Sequence, residues 1–289
     1  MRTLLLSLIV CAAALTARDP LEKRIAYLDP ATYRSGTGVH KGAGELRYGT
    51  LIPGEAFSTN FIFVHRGQLA PKGGIGHHFH NHMEEMFVIL NNEAQFTING
   101  RTSALKGPAM APCRMGSSHA IYNPTDRPTE WMNIAVGTRK GKYDAFDLGD
   151  DRVGAPLDAT PVFISARFDK SLLRPTESMH GGKGTVRYRR ALPPEVYFTN
   201  WSYVDHIVIP PGASVGKKKH PGVEELYYVI DGAGTVQIND ESAPFRKDQG
   251  LAVLLNDVHS VINSGTVDME LMVIGVAVEK WALDTVTVK

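Results

Sequence analysis

A cluster of histidines and acidic residues in the first half of the chain has the residue types of a metal site. Residues 76–85 read GHHFHNHMEE and hold four of the chain's 11 histidines. His78 and His80 are two positions apart, so in a strand both side chains point to the same side. Glu85 begins the next apolar run, and His119 follows a later strand and loop. Three neutral imidazoles and one carboxylate can bind a divalent transition metal (Mn, Fe, Co, Ni, Cu or Zn) and leave positions for water and substrate.

Other residues near this cluster are weaker candidates. We expect His77 and His82 to be bystanders on the surface, because their spacing is wrong for the same face. A triple of His80, His82 and Glu85 fits less well, since only two residues separate the second histidine from the glutamate. We expect Arg114 and Asn133 to serve structure rather than substrate binding.

The chain contains two copies of one unit. Residues 42–48 read GAGELRY and residues 182–188 read GKGTVRY, an offset of 140 positions (182 − 42). The offset holds without a gap through His80 and His220, Glu85 and Glu225, and His119 and His259. We expect Tyr48 and its counterpart to serve barrel packing, since both copies keep this residue. A constant register over this distance indicates a duplicated structural unit.

Each copy is predicted to consist of short strands. Residues 61–65, 86–90 and 94–98 are rich in β-branched and aromatic residues and are separated by turn signals. Asn99-Gly100 between two apolar runs predicts a hairpin. A short helix is expected around Pro20–Leu28. The pattern predicts an all-β protein built as sandwiches or barrels of the jelly-roll type.

The motifs resemble those of the cupins. The first cupin motif is His-x-His, three or four residues, Glu, six residues and Gly; the second ends in Pro, a loop, His, three residues and Asn. This chain matches at His78, His80, Glu85, Pro112, His119 and Asn123, with Asn92 in place of the glycine. The resemblance implies a bicupin, that is, two tandem double-stranded β-helix barrels. The implied division is residues 18–137 for the metal-binding barrel, 138–178 for a connecting segment and 179–289 for the second barrel.

The second copy departs from the motif at its first ligand. Lys218 replaces the first histidine, and a protonated lysine repels a cation and offers no lone pair. His220, Glu225 and His259 remain as a possible degenerate site. The sequence therefore favours one bound metal per chain, in the first barrel.

Residues 1–17 have the layout of a secretory signal peptide. A basic start, an apolar run and small residues precede a polar stretch, with cleavage expected after Ala14 or Ala17. The expected location is secreted or periplasmic, with no membrane insertion after cleavage. Cys113 is then the only cysteine of the mature chain, so no intrachain disulfide can form.

Composition narrows the class of function. The formal net charge is +1, so the chain lacks the excess of basic residues that is typical of a nucleic-acid binder. The resemblance implies a metal-dependent enzyme acting on a small oxygen-rich substrate, with Glu85 as ligand and catalytic proton shuttle. By analogy with quercetinase-type bicupins, the first interpretation is a dioxygenase-like oxidoreductase. Oxalate-decarboxylase-type bicupins are also similar, but they bind manganese in both barrels, and Lys218 argues against that here. An isomerase, epimerase or decarboxylase of a sugar acid or carboxylate is the alternative, and a binding protein without turnover is a third. A homodimer is compatible with the composition.

Overall fold

Strands make up most of the structure. The computed structural model describes residues 19–288, and the predicted signal peptide lies outside this range. The first twelve strands are β1 (Ile25–Tyr27), β2 (Arg34–Thr37), β3 (Glu45–Pro53), β4 (Phe61–Leu69), β5 (Gly74–Phe79), β6 (Met83–Ile89), β7 (Glu93–Ile98), β8 (Arg101–Lys106), β9 (Ala109–Cys113), β10 (Ser118–Tyr122), β11 (Thr129–Gly137) and β12 (Phe146–Asp147). The others are β13 (Ala166–Arg167), β14 (Arg174–Glu177), β15 (Thr185–Leu192), β16 (Trp201–Ile209), β17 (Ser214–Lys219), β18 (Val223–Asp231), β19 (Ala233–Ile238), β20 (Glu241–Arg246), β21 (Gln249–Val253), β22 (His259–Ile262), β23 (Met269–Ala277) and β24 (Val286–Thr287). The all-β prediction is confirmed.

Helices are few and short in the described residues. One α-helical turn, α1, spans Leu21–Arg24. Single 3-10 turns span Pro30–Thr32, Val39–Lys41, Gly54–Ala56, Lys170–Leu172, Met179–Gly181 and Pro194–Val196. No helix within residues 19–288 is long and apolar enough to cross a membrane.

Each repeat forms a barrel from two antiparallel sheets. The first barrel has a seven-stranded sheet in the order β13-β9-β6-β11-β4-β3-β2 and a five-stranded sheet in the order β12-β5-β10-β7-β8. The second barrel repeats this arrangement with β1-β21-β18-β23-β16-β15-β14 and β20-β19-β22-β17-β24. The predicted two-barrel organisation follows from this topology.

Strand β6 shows how the sequence pattern builds both faces of a sheet. All seven of its residues are buried, so its apolar run is nearly continuous. Phe87 and Ile89 belong to the core inside the first barrel. Met86 and Val88 alternate with them and belong to a core shared by the two barrels. The period of two therefore sends Glu85 into the barrel with Phe87.

The two barrels exchange their first strands. The expected helix at Pro20–Leu28 is wrong beyond its first turn, because Ile25–Tyr27 pairs as β1 with β21 of the second barrel. In the same way β13, from the segment 138–178, pairs with β9 of the first barrel. Ala26 and Ala166 hold equivalent positions at the 140-residue offset, so the exchange is reciprocal.

Two buried carboxylates join the barrels in the same reciprocal manner. Glu84 accepts hydrogen bonds from the backbone N–H groups of Phe198 and Thr199 and from the Thr199 hydroxyl, at 2.5–2.9 Å. Glu224 accepts the equivalent bonds from Ser58 and Thr59, at 2.8–3.1 Å. Each carboxylate thus satisfies backbone donors of the opposite repeat that would otherwise be buried without partners.

Asparagine replaces glycine at one tight turn without a change of conformation. Asn92 has a φ of 50°, and Gly232, its counterpart in the second repeat, has a φ of 79°. Asparagine tolerates this left-handed region better than other residues with a side chain. Asn99 and Gly100 also have positive φ and join β7 to β8, which confirms the predicted hairpin.

Candidate functional site

The four predicted metal ligands lie together inside the first barrel. Strand β5 carries His78 and ends just before His80, while β6 carries Glu85 and β10 carries His119. The backbone register places His119 opposite His78 across the β5–β10 pair. One ligand atom from each of the four residues lies within 4.8 Å of the others, and all four side chains are buried.

The hydrogen bonds of the histidines leave their Nε2 atoms facing one another. His78 Nδ1 donates to the carbonyl of Gly76 at 2.7 Å, and His80 Nδ1 donates to the carbonyl of Asp144 at 2.5 Å. Their Nε2 atoms therefore carry lone pairs, and these atoms lie 3.0 and 3.1 Å from His119 Nε2. Glu85 Oε2 is 3.5 Å from His119 Nε2 and 3.7 Å from His80 Nε2. Lone pairs this close repel one another unless a cation or proton lies between them.

The electrostatics of this group suit a metal. Burial lowers the pKa of His78 and holds that of His119 well below its ordinary value, and the neighbouring histidines add to both shifts. Both rings are therefore neutral at pH 7 and available as ligands. Burial raises the pKa of Glu85, while His80 and the Asn133 amide act in the opposite direction.

The ligand spacing also fits a transition metal. Ligands at right angles around an ion with bonds of roughly 2.1 Å lie about 3.0 Å apart, and tetrahedral ligands lie about 3.4 Å apart. The observed separations span these values. The four residues thus form a site suited to a divalent metal.

Neighbouring side chains fix the ligands in place. Asn133 Nδ2 donates to Glu85 Oε2 at 3.0 Å, so Asn133 positions this carboxylate, and the expectation that it serves structure rather than substrate binding stays a prediction. The Phe87 ring stacks on His119 with centroids 4.3 Å apart. The His40 ring stacks on His78 at 3.8 Å and is hydrogen bonded to Asp147. His40 was not a candidate from sequence, although its counterpart at the offset is also a histidine, His180.

A cavity of about 330 Å³ lies next to the ligands, and His78 and Glu85 are the two of the four that line it. Its walls are mainly apolar and aromatic. The lining residues are Val39, His40, Leu46, Tyr48, Ile62, Phe63, His65, Ile75, His78, Glu85, Phe87, Trp131, Asn133 and Tyr143. Tyr48 therefore lines the site as well as packing the barrel. Arg114 lies outside this cavity, with its guanidinium over the Phe198 ring.

The corresponding group in the second barrel already contains a cation. Lys218 Nζ donates to Glu225 Oε1 at 2.9 Å, with both side chains buried. His259 Nε2 and His220 Nε2 lie 2.9 and 3.3 Å from Glu225 Oε2. Burial would raise the pKa of Glu225, but Lys218 and His220 outweigh it and hold that pKa well below its ordinary value. The ammonium lies where the first histidine ligand would be, while His220, Glu225 and His259 still bring ligand atoms within 4.8 Å of one another. A degenerate metal site at these three residues stays a prediction.

A tyrosine fills the interior of the second barrel. The Tyr203 hydroxyl donates to Glu225 Oε1 at 2.8 Å. Its ring lies against Gly275, where a Cβ atom would be 2.5 Å from it. The equivalent positions in the first barrel are Phe63 and Ala135. The hydroxyl and the ammonium both donate to Oε1, whereas Oε2 faces His220 and His259 and has no hydrogen-bond partner.

Comparisons with known proteins identify the family. The Cupin domain family matches residues 205–275. The oxalate-binding protein of Thermotoga maritima is 31% identical over 97 residues, which are 34% of this chain and 80% of that protein. The tetracenomycin polyketide synthase protein TcmJ of Streptomyces glaucescens is 27% identical over 106 residues, covering 37% of this chain and 68% of that protein. The chain belongs to the cupin family.

Solved structures show the same two-barrel fold. The oxalate decarboxylase of Bacillus subtilis, studied for its Mn(II) centres, superposes with a TM-score of 0.62 at 16% identity and covers 91% of this chain and 79% of its own. That of Lactobacillus farciminis, solved as a formate complex, gives 0.63 at 13% identity and covers 91% and 88%. The prediction of a bicupin is confirmed.

Proposed function

We propose that the first barrel is the active site of a metal-dependent enzyme that decarboxylates a small carboxylate, with one metal per chain. The ligands would be His78, His80, Glu85 and His119. The observation that carries the proposal is the convergence of three imidazole Nε2 atoms and a carboxylate next to a 330 Å³ cavity, which His78 and Glu85 line. A divalent ion bound there acts as a Lewis acid on substrate oxygens.

The charges in the cavity favour a substrate with one negative charge. Among the described residues that line it, none is a lysine or an arginine. Burial lowers the pKa of His65 to about 4, so this ring is neutral at pH 7. A divalent ion together with ionised Glu85 leaves a single positive charge. A carboxylate with a second oxygen on the adjacent carbon matches this charge and binds through both oxygens.

Two tyrosines and an amide are placed to act on such a substrate. Burial and the nearby Glu85 raise the pKa of Tyr143 to about 12, so its hydroxyl remains a donor at neutral pH. Tyr143 and Tyr48 are the hydroxyl groups on the cavity wall. When the carbon–carbon bond breaks and CO₂ leaves, the remaining carbon takes up a proton, and these hydroxyls are the candidates to supply it. Asn133 orients Glu85 through its 3.0 Å hydrogen bond.

The relatives favour decarboxylation over the dioxygenase reading. Two oxalate decarboxylases share the fold, and an oxalate-binding protein is the relative at 31% identity. Decarboxylation was among the alternatives in the sequence-based interpretation. The reaction does not consume O₂, so the protein needs no binding site for O₂ to catalyse it. Isomerisation needs the same metal and the same chelating oxygens.

The test is CO₂ release by the metal-loaded protein from a panel of 2-oxo and 2-hydroxy acids and oxalate, with and without O₂. We expect release without O₂, loss of release in His80→Ala, and retention in the matched variant of the second barrel, His220→Ala. Product formation only with O₂ would support the dioxygenase reading. Binding without turnover of any acid would support a binding protein.

A further inference from the structure

We infer that the substrate carries a ring, or a planar apolar group of similar size, on a single chelating carboxylate unit. This inference rests on the proposed function and names the substrate class of that site. The walls of the cavity, rather than the metal ligands, carry the argument.

The size of the cavity exceeds what a two-carbon acid fills. A volume of 330 Å³ corresponds to the space of on the order of ten water molecules, at the lower end of sites that bind small organic ligands. A chelating unit occupies only the base. The remaining wall consists largely of apolar and aromatic side chains: Val39, Leu46, Ile62, Phe63, Ile75, Phe87 and Trp131. Water held against such a wall is released favourably when an apolar group replaces it.

The aromatic residues form a surface for a planar group. The Phe63 and His65 rings stack with centroids 4.0 Å apart and an interplanar angle of 3°. Tyr143, half-exposed at 48%, lies with its ring centroid 6.2 Å from that of Phe63. These separations are typical of aromatic contacts, and a substrate ring can continue the same arrangement.

A second carboxylate has no partner on these walls. The described lining residues include no lysine or arginine, and Glu85 carries the same charge as the group it would meet. A buried charge without a partner is strongly unfavourable. Compact dicarboxylates are therefore disfavoured relative to monocarboxylates with an apolar substituent.

Two polar atoms on the wall are buried and unpartnered. Asn133 Oδ1 is an acceptor and Trp131 Nε1 is a donor, and neither has a hydrogen-bond partner. Their side chains are 7% and 1% exposed. The amide nitrogen of Asn133 donates to Glu85, so it is the nitrogen and not the oxygen that holds the carboxylate. Both atoms lie below the accessible surface of the cavity, so the wall that a ligand meets at these residues is not made by them.

The test compares ligands with the same chelating unit. Phenylpyruvate and pyruvate differ by one phenyl ring, and oxalate adds a second charge. Calorimetry on the metal-loaded protein should show phenylpyruvate binding roughly 30-fold more tightly than pyruvate, or about 2 kcal/mol at 1.4 kcal/mol per tenfold. Oxalate should bind more weakly than phenylpyruvate.

Variants of the wall locate the effect. Phe63→Ala should weaken phenylpyruvate binding about tenfold and leave pyruvate binding within twofold. Phe63→Leu, which keeps an apolar side chain and removes the ring, serves the same purpose if Phe63→Ala does not fold. Leu283 in the second repeat is the counterpart of Tyr143 at the 140-residue offset. Leu283→Ala is the control and should change the affinity for neither phenylpyruvate nor pyruvate.

The outcomes separate the two proposals. Equal affinity for pyruvate and phenylpyruvate, or tighter binding of oxalate, would overturn the inference about the ring and leave the proposed function standing. Selective binding of phenylpyruvate without CO₂ release from any acid would overturn the proposed function and support the inference. Binding of no acid by metal-loaded protein would overturn both.

Discussion

Replacement of Lys218 by methionine should destabilise the second barrel severely. The Lys218 ammonium is 2.9 Å from Glu225, and the side chains are 9% and 0% exposed. Methionine has similar length and no charge, so the variant leaves a buried carboxylate without its cation. Removal of one partner of a buried ion pair costs about 3–5 kcal/mol. For a protein of this size we expect the Tm to fall by on the order of 10 °C.

A double-mutant cycle isolates the pair. Glu225→Gln in the Lys218→Met background removes the stranded charge and should restore a large part of the lost stability. The coupling energy of the cycle should exceed about 2 kcal/mol, since residues in direct contact are not additive. Thermal unfolding of chelator-treated protein at pH 7 gives the stabilities of the original protein, the two single variants and the double variant. Lys217 is the exposed neighbour of Lys218, and Lys217→Met is the control. Its free energy of unfolding should stay within about 0.5 kcal/mol of that of the original protein.

Acidification should remove the difference between the original and Lys218→Met. Lys218 and His220 outweigh burial and hold the pKa of Glu225 below its unfolded value, so the ionised form contributes stability above about pH 4.3. That contribution is lost as the pH falls through the folded pKa. A Lys218→Met protein with an unchanged Tm at pH 7 would refute the view that buried Glu225 depends on the ammonium for its stability.

Four further predictions concern the first barrel, the interface and the N-terminus. His80→Ala should abolish bound metal and His220→Ala should leave about one equivalent, by elemental analysis; loss of metal in His220→Ala instead would place the working site in the second barrel. Glu85→Gln should lose metal yet raise the Tm of metal-free protein at pH 7, because burial raises this pKa and stability falls as the pH rises above about 4.3; a lower Tm would contradict this. Glu224→Ala should cost about 3–5 kcal/mol by stranding buried donors of the other repeat, whereas the exposed Glu279→Ala should not, and equal effects would contradict the role of the carboxylate. The mass of exported protein should lack the first 14 or 17 residues, and an intact N-terminus would contradict a cleaved signal peptide.

The repeated motifs made the metal-site prediction possible. His78 and Glu85 belong to a local pattern, and each lies on a strand whose alternation places it inside the barrel. The fold class followed from the same alternation and from turn signals such as Asn99-Gly100. These features are local in sequence, so they can be recognised without knowledge of strand pairing.

The walls of the site were not predictable in this way. Tyr143 comes from the predicted connecting segment. The contact of Asn133 with Glu85 depends on the register between β6 and β11, although Asn133 itself was a weaker candidate from sequence. The register between distant strands depends on packing of the whole barrel. The short strand Ile25–Tyr27 was missed for the same reason, because its partner lies in the other repeat.

Because of the reciprocal strand exchange, the N-terminal strand β1 can pair only with a strand from the C-terminal part of the chain, β21. Arg24, beside the first strand, donates to the carbonyl of Ala252, 228 positions away. The N-terminal strand therefore finds its partner only after nearly the whole chain has been synthesised. Contacts this distant in sequence slow folding, because the entropy of a long loop is lost before the contact forms. Pairing of β1 with β21 is therefore expected to be a late step of folding. A chain cut between its repeats would leave each half with an unpaired sheet edge and a tendency to aggregate.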